Sequence, residues 1–150
     1  MVGLGYDSHR FAPGRRLVLG GVEIEHDQGL EGHSDADVLT HAVIDALLGA
    51  TGGGDIGTMF PDDDEQWREA DSIDLLRTAV GTVSGPILNV DATVICEEPR
   101  LGPYKAEMER TLADATSARV SVKATSNEGM GWIGRGEGIA CIAVASVQSE

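Results

Sequence analysis

The chain has 150 residues, of which 41% are hydrophobic and only 4% aromatic, and its formal net charge is −14. This length predicts a single domain over residues 1–150, with a core built from aliphatic side chains. The acidic balance argues against nucleic acids and membrane surfaces as partners, because both need a basic footprint. A small anionic substrate remains possible, since salt screens exposed charge over roughly 8–10 Å and local cations decide binding.

The two cysteines and the N-terminus favour a cytoplasmic location. Cys96 and Cys141 lie in apolar, strand-like runs and are typical of buried thiols in a reducing compartment, with a disulfide as the less favoured alternative. The chain begins with a strand-like segment and has no basic region followed by an apolar one, so no secretory signal is expected. No apolar stretch approaches the length that spans a membrane.

The first half of the chain predicts a strand, a hairpin and a helix. Residues 1–8 have a strand pattern, and residues 15–26 indicate a hairpin with a glycine turn. Residues 27–34 are predicted to be a loop. A helix is expected to begin at Ser34 as its N-cap and to end near Gly49, because apolar residues recur at helical spacing between them.

The second half alternates between helices and strands and completes an α+β pattern. The predicted elements in chain order are a loop over 52–65, a helix over 72–83, a strand over 87–96, a helix over 103–116, a strand over 119–125, a glycine-rich loop over 129–138 and a strand over 139–147. This order predicts a two-layer α+β sandwich, a mixed β-sheet with three helices on one face.

Asp7, His9 and His41 form the strongest candidate site. An Asp-x-His pair on a strand directs both side chains to one face, and a histidine from the following helix can complete a ligand set. Three protein ligands leave one position of a zinc ion open, as in catalytic sites. The alternative is that these are ordinary polar residues near a strand end. Asp45, one turn after His41, is equally compatible with orienting that ring and with lying in solvent.

The glycine-rich and polar segments give weaker signals. The 52–57 loop lacks the Gly-Lys-Ser/Thr ending of a P-loop. Residues 125–128, Thr-Ser-Asn-Glu, follow a strand and suit phosphate and magnesium, although such a tetrapeptide is often only a polar turn. The acidic run 62–65 can be a solvated turn, and that interpretation is favoured for Asp63 and Glu65. Phe60 and Trp132 are candidates for ligand contact, with packing nearly as well supported.

Four segments together resemble one known family. They are Gly-Tyr-Asp-Ser-His-Arg-Phe (5–11), His-Ser-Asp-Ala-Asp-Val-Leu-Thr-His-Ala (33–42), Asp-Ile-Gly-Thr-Met-Phe-Pro-Asp (55–62) and Gly-Arg-Gly-Glu-Gly-Ile-Ala (134–140). In order and spacing they closely resemble the 2-C-methyl-D-erythritol 2,4-cyclodiphosphate synthase family of the non-mevalonate isoprenoid pathway, over essentially the whole chain.

The resemblance implies a phosphorus–oxygen lyase. The family converts 4-diphosphocytidyl-2-C-methyl-D-erythritol 2-phosphate to the cyclic 2,4-diphosphate and CMP, by attack of the 2-phosphate on the β-phosphate. Two divalent metals assist, zinc and either magnesium or manganese. The family is a homotrimer whose active sites are shared between neighbouring subunits.

The resemblance also implies roles for individual residues. Asp7, His9 and His41 match the zinc ligands, Glu128 matches the ligand of the second metal, and His33 and Ser126 match the catalytic positions that stabilise the transition state. Substrate contacts are implied at Asp7, His9, His33, Ser34, Asp55, Ile56, Gly57, Phe60, Asp62, Asp64, Cys96, Pro99, Arg100, Leu101, Gly102, Thr125, Ser126, Glu128, Trp132 and Arg135. The chain departs from the usual family residues at Thr58, Ser126, Asn127 and Trp132.

Two other interpretations remain open from the sequence. One is a zinc hydrolase in which Glu128 activates a water molecule. The other is a non-catalytic trimer with a structural zinc, although structural zinc normally has four protein ligands and no convincing fourth is evident.

Overall fold

A five-stranded mixed sheet forms one layer of the molecule. The computed structural model describes residues 1–149. The strands are β1 (Val2–Pro13), β2 (Leu17–Leu19), β3 (Val22–Ile24), β4 (Gln28–Leu30), β5 (Ile87–Ile95), β6 (Arg119–Thr125) and β7 (Gly138–Val147). The sheet order is β4-β1-β7-β5-β6, and only the β5–β6 pair is parallel. Strands β2 and β3 form a separate hairpin.

Three long helices form the second layer, as the sequence predicted. They are α1 (Val38–Thr51), α3 (Ser72–Val80) and α4 (Lys105–Thr116), and two short helices, α2 (Ile56–Met59) and α5 (Gly131–Gly134), lie in the glycine-rich loops. Helix α1 packs on β1 and β7 and also against α3, so it is buried nearly all round. Among residues 1–149, no helix is long and apolar enough to cross a membrane.

Glycines in β1 allow the sheet and α1 to approach closely. A Cβ added at Gly5 would lie 1.9 Å from the carbonyl oxygen of Ala42, and one at Gly3 would lie 1.9 Å from that of Ala46. Because side chains alternate along a strand, Asp7 shares this helix-facing side of β1 with Gly3 and Gly5. The close packing therefore brings the next residue on that face toward α1.

The start of α1 differs from the prediction. The helix begins at Val38, and Asp37 caps it by accepting a hydrogen bond from the Thr40 N–H. Ser34 is not the cap. Its hydroxyl accepts from the Ala36 N–H, and Ala36 has a positive φ of 56° that a helix does not tolerate. The segment before α1 is therefore a set of local side-chain turns.

The ends of other strands and helices also differ from the predicted ones. Strand β1 runs to Pro13, well beyond the predicted 1–8, and β4 occupies part of the predicted 27–34 loop because residues 28–30 pair with the end of β1. Helix α1 continues to Thr51, where Gly52 in the left-handed conformation ends it. The predicted helices 72–83 and 103–116 are shorter, and a 3₁₀ turn at Gly102–Tyr104 precedes α4.

Asp37 links the β2–β3 hairpin, α1 and α3 through hydrogen bonds. Its side chain is fully buried, and it accepts hydrogen bonds from the backbone N–H groups of Gly20 and Gly21 in the hairpin turn and from the Ser72 hydroxyl of α3. It also accepts from the N–H and hydroxyl of Thr40. Buried carboxylates need such partners, so this residue fixes the hairpin and α3 to the start of α1.

Candidate metal centre

Asp7, His9 and His41 converge between β1 and α1. One ligand atom from each lies within 4.8 Å of the others. The Asp7 Oδ2 atom is 3.0 Å from Nε2 of His9 and 3.3 Å from Nδ1 of His41. The two rings meet edge to face, with centroids 5.8 Å apart. The structure thus brings together the three residues that the sequence singled out.

The carboxylate and the two imidazoles shift each other's ionisation. Burial alone would raise the pKa of Asp7, but hydrogen bonds and charges from His41 and His9 outweigh it and lower the pKa to about 2. Burial would lower the pKa of His9, but the hydrogen bond and charge of Asp7 raise it above its usual value. Without a metal ion, Asp7 is therefore an anion that favours a proton on His9.

Neighbouring groups orient both rings. Nδ1 of His9 donates to the carbonyl oxygen of Glu31 at 2.7 Å, which leaves Nε2 facing Asp7. Nε2 of His41 lies 3.3 Å from the Ser34 hydroxyl, so its other nitrogen faces the same carboxylate. Such contacts fix the tautomer and direction of metal-binding histidines.

Asp45 takes neither of the roles considered for it. Its Oδ1 atom accepts from the Ile56 N–H at 3.2 Å, and the side chain is only half-buried. It therefore anchors α2 to α1, and the ring of His41 is oriented by Ser34 instead.

A cavity of about 260 Å³ opens over the triad. It brings together nine residues of the predicted site with Gly32, Trp67 and Leu75, and the nine are Asp7, His9, His33, Ser34, His41, Ile56, Gly57, Phe60 and Asp62. Phe60 is buried and packs edge to face on Trp67, with centroids 4.9 Å apart, so it serves both packing and the cavity wall. Nε2 of His33 donates to the carbonyl oxygen of Asp64 at 3.3 Å.

Two predicted contact residues instead cap short helices. Asp55 accepts from the N–H and hydroxyl of Thr58 at the start of α2, and these bonds lower the pKa of Asp55. Asp64 accepts from the N–H and side-chain amide of Gln66 at a 3₁₀ turn. Neither Asp55 nor Asp64 lines the cavity, although Ile56, Gly57 and Asp62 nearby in the chain do.

The remaining predicted residues do not line the triad cavity in the same chain. Thr125, Ser126 and Glu128 are exposed at the end of β6, and the register aligns Thr125 with Ser8 across β5 and β7. Three strand spacings separate β6 from β1, which amounts to roughly 14 Å. One chain therefore does not bring Ser126 and Glu128 to the candidate metal centre.

The substrate contacts implied between Cys96 and Gly102 lie beside the β6 residues, and the last two predicted residues lie elsewhere. Residues 96–102 follow β5, which pairs with β6, and burial raises the pKa of the Cys96 thiol to about 11. Trp132 lines a second, open cavity of about 600 Å³ with His9, Phe11 and Glu137, so it lies near one member of the triad. Arg135 donates to Glu137 at 2.6 Å.

Two residues that bind the backbone of the site segments were not predicted. Arg15 donates to the carbonyl oxygens on either side of His33, and Glu97 accepts from the backbone on either side of Glu128. Side chains that bind the backbone of loops distant in the sequence leave no sequence motif, so no sequence signal identified these two residues.

The donor set fits a zinc ion. Two imidazoles and one carboxylate are common zinc ligands, and three protein ligands leave one position for a substrate. Nine-tenths of the His41 side chain and about three quarters of those of His9 and Asp7 are shielded from solvent, yet all three line the cavity. The three residues therefore leave one side of a bound ion open to the cavity.

Comparisons with known proteins agree with this fold and with the family that the sequence motifs resemble. A model of the YgbB family matches residues 1–148. The 2-C-methyl-D-erythritol 2,4-cyclodiphosphate synthase of Symbiobacterium thermophilum is 54% identical over 154 residues, covering 98% of both chains. The bifunctional IspDF of Campylobacter jejuni has a TM-score of 0.92 and 40% identity, covering 96% of this chain and 41% of that one. A 2C-methyl-D-erythritol-2,4-cyclodiphosphate synthase structure in its CDP-bound form has a TM-score of 0.89 and 33% identity, covering 99% and 100%.

The fold and triad define a small α+β protein with a candidate metal centre between the middle of its longest strand and its first helix. The chain belongs to the YgbB family, whose curated relatives include proteins named 2-C-methyl-D-erythritol 2,4-cyclodiphosphate synthase. This confirms the family that the sequence motifs indicated.

Proposed function

We propose that this protein converts 4-diphosphocytidyl-2-C-methyl-D-erythritol 2-phosphate to 2-C-methyl-D-erythritol 2,4-cyclodiphosphate and CMP. The observation that carries the proposal is the triad of Asp7, His9 and His41 facing a cavity lined by His33 and Ser34. The named relatives support the same reaction, because they share the family and about half of the sequence.

The reaction needs no nucleophile from the protein. An oxygen of the substrate's 2-phosphate attacks the β-phosphorus, and the bond from that phosphorus to the bridging oxygen breaks, so CMP leaves with the bridging oxygen. The attacking phosphate is already ionised near neutral pH, and positioning with charge stabilisation supplies most of the catalysis. His33 and Ser126 are proposed to donate hydrogen bonds to oxygens that gain charge.

Metal ions match the electrostatics of this cavity. The described lining contains the carboxylates of Asp7 and Asp62 and no Lys or Arg, so a polyanionic substrate needs another source of positive charge. Zinc on the triad, and magnesium or manganese on Glu128, would supply Lewis-acid neutralisation of the phosphates. The ligand sets leave room for phosphate oxygens.

We infer that the active site is completed by a neighbouring copy in a homotrimer. Ser126 and Glu128 lie roughly 14 Å of sheet width from β1 in their own chain. The face of the sheet away from the helices exposes apolar side chains, with 66% of Leu4, 55% of Tyr6 and 40% of Ile142 accessible. A patch of this kind is typical of an interaction surface, so assembly would both cover it and join the two half-sites.

The cellular context follows from the proposed reaction. Cys96 and Cys141 are free and buried, and burial raises the pKa of both thiols, which suits a reducing cytoplasm. The proposed product would feed non-mevalonate isoprenoid synthesis. No nucleic-acid or membrane partner is proposed for a chain of net charge −14.

Product analysis tests the proposal. The purified protein is incubated with the cytidylated substrate, with chelator, and with chelator followed by zinc and magnesium, and products are followed by phosphorus NMR. CMP and a cyclic diphosphate should appear only when metals are present. A linear phosphate formed by water attack would show that the protein is a zinc hydrolase and not a cyclase. Turnover that chelator does not affect would contradict both metal-dependent activities.

A further inference from the structure

We propose that Arg15 is a positioning residue that holds the backbone around His33 in its active geometry. The proposal rests on the proposed function of the cavity. Nη1 of Arg15 donates to the carbonyl oxygen of Gly32 at 2.7 Å, and Nη2 donates to that of Ser34 at 2.6 Å. One guanidinium group therefore binds both the carbonyl that precedes His33 and the carbonyl that follows it.

The segment is held on every side. The carbonyl oxygen of His33 itself accepts from the Glu69 N–H at 3.1 Å. Three consecutive carbonyls, those of Gly32, His33 and Ser34, are thus bound by groups outside the segment. A loop without regular structure has no ladder of its own to fix it, so these bonds define its path.

The anchor is itself fixed in place. Arg15 lies between β1 and β2 and is half-buried. A Cβ added at Gly29 of β4 would lie 2.6 Å from the carbonyl oxygen of Arg15 and 2.4 Å from that of Arg16. The glycine lets β4 pack directly on the Arg15 backbone, so the guanidinium projects from a rigid base.

Arg15 does not line the triad cavity, and its hydrogen bonds in this region go to backbone carbonyls. Both Nη atoms bind carbonyls, and the cavity that Arg15 does line contains Glu23, His26 and Tyr104 instead. What it controls are His33, the proposed transition-state donor, and Ser34, whose hydroxyl lies 3.3 Å from His41. A misplacement of about 1 Å at such groups costs on the order of 100-fold in rate.

Binding two carbonyl oxygens at once requires the planar guanidinium group of an arginine. Arginine presents two parallel N–H groups in a fixed plane, whereas lysine offers one point charge on a flexible stem. Lysine at this position reaches one carbonyl at a time. We therefore expect Arg15→Lys to restore only part of what Arg15→Ala loses, and Arg15→Gln to behave like alanine.

The adjacent Arg16 provides a matched control. It is exposed, and its guanidinium makes only a surface ion pair with Glu23 at 3.5 Å. The variants Arg15→Ala, Arg15→Lys and Arg16→Ala are compared as zinc-loaded full chains, by steady-state kinetics, zinc stoichiometry and hydrogen exchange. Arg15→Ala should lower kcat roughly 10–100-fold, change KM less than about threefold and keep one zinc per chain, while Arg16→Ala stays at the wild-type level.

Hydrogen exchange separates the two proposals. The amides of Ala36 and Glu69 depend on the His33 segment, because they donate to Ser34 and His33. Arg15→Ala should speed their exchange at least about tenfold with the core of α1 unchanged, whether or not the wild type releases CMP. If the wild type releases no CMP, the proposed function is wrong, and the hydrogen exchange of Ala36 and Glu69 still tests the role of Arg15. Three outcomes would overturn the positioning role. They are a wild-type kcat and wild-type hydrogen exchange in Arg15→Ala, full recovery of kcat in Arg15→Lys, and faster hydrogen exchange throughout the protein in Arg15→Ala.

Discussion

Oδ2 of Asp7 lies 3.3 Å from Nδ1 of His41, although 34 positions separate the two residues in the chain. The contact exists because glycines at positions 3 and 5 bring β1 against the backbone of α1. The same Oδ2 atom is 3.0 Å from Nε2 of His9. A single carboxylate oxygen thus faces both rings, which is where a shared metal ion would neutralise it.

The first prediction concerns His41. We expect His41→Ala to lose the zinc ion and to lower CMP release by more than about 100-fold, since it removes a direct ligand and not merely a supporting contact. The protein should stay folded, with a cost of about 1–3 kcal/mol for a buried polar side chain. Zinc content, circular dichroism and CMP release are measured together.

His26→Ala is the control for that variant. His26 pairs with exposed Asp27 and packs on Phe11 outside the triad. It should bind zinc and release CMP as the wild type does. Unfolding of His41→Ala, with His26→Ala intact, would favour a structural role for the metal.

Zinc stabilisation should increase with pH. In the metal-free protein, the raised pKa of His9 gives stability that is complete below 6.5 and is lost as pH rises through the folded value. The Asp7 pKa of about 2 gives stability that is present above 3.8 and is lost as pH falls toward 2. Zinc must displace the proton from His9, so the rise in Tm on adding zinc should be larger at pH 8 than at pH 5.5. A rise that is constant or larger in acid would contradict this.

Glu97 should determine how tightly the second metal binds. Its Oε1 accepts from the N–H groups of Asn127 and Gly129 at 3.0 and 3.1 Å, and Glu128 between them has a strained positive φ of 54°. Glu97→Ala should raise the magnesium concentration for half-maximal activity about tenfold. Glu97→Gln keeps an acceptor oxygen and should remain within about threefold.

The exposed neighbour Glu98 is the control for that series. Glu98→Ala should leave magnesium activation unchanged. Equal effects of the alanine and glutamine variants would show that charge, and not the backbone contacts, is what matters at Glu97.

Asp37 should carry a large share of the stability. Removing its carboxylate leaves donors of Gly20, Gly21, Thr40 and Ser72 without their acceptor. Each buried group left unpaired costs about 1–3 kcal/mol, so Asp37→Ala should lower the free energy of unfolding by at least about 3 kcal/mol in urea. Exposed Asp27→Ala should change it by less than about 0.5 kcal/mol. A loss under 1 kcal/mol for Asp37→Ala would refute the role of this carboxylate.

The exposed sheet face should be needed for assembly. Leu4→Glu places a charge where 66% of the leucine is accessible in the single chain. If copies cover this face, the charge should dissociate them in sedimentation experiments and abolish CMP release, while zinc binding to the triad persists. Ala106→Glu, on an exposed part of α4, should sediment as the wild type. A wild type that sediments as a monomer and still turns over would contradict the shared site.

The sequence predicted the architecture better than its local details. Alternating and helical apolar patterns depend on burial, so the three long helices and the main strands were found from periodicity alone. The start of α1 was wrong because Ser34 and Asp37 are both good caps, and only the positive φ of Ala36 decides between them.

The site was predictable where ligands share a strand face and not where backbone contacts matter. Asp7 and His9 follow from alternation along β1, and His41 follows as a histidine of the next helix that can complete the ligand set. Arg15 and Glu97 bind carbonyl and amide groups of distant loops, and tertiary structure alone creates such pairs. The separation of Ser126 from the triad likewise depends on sheet order, which periodicity does not contain.

The most direct test of the metal centre is anomalous scattering from crystals of the zinc-loaded protein, with data collected on both sides of the zinc absorption edge. The account predicts one strong peak per chain, within about 2.0–2.2 Å of Asp7, His9 and His41. The peak should vanish below the edge. No peak between β1 and α1, or a peak held by other residues, would contradict it.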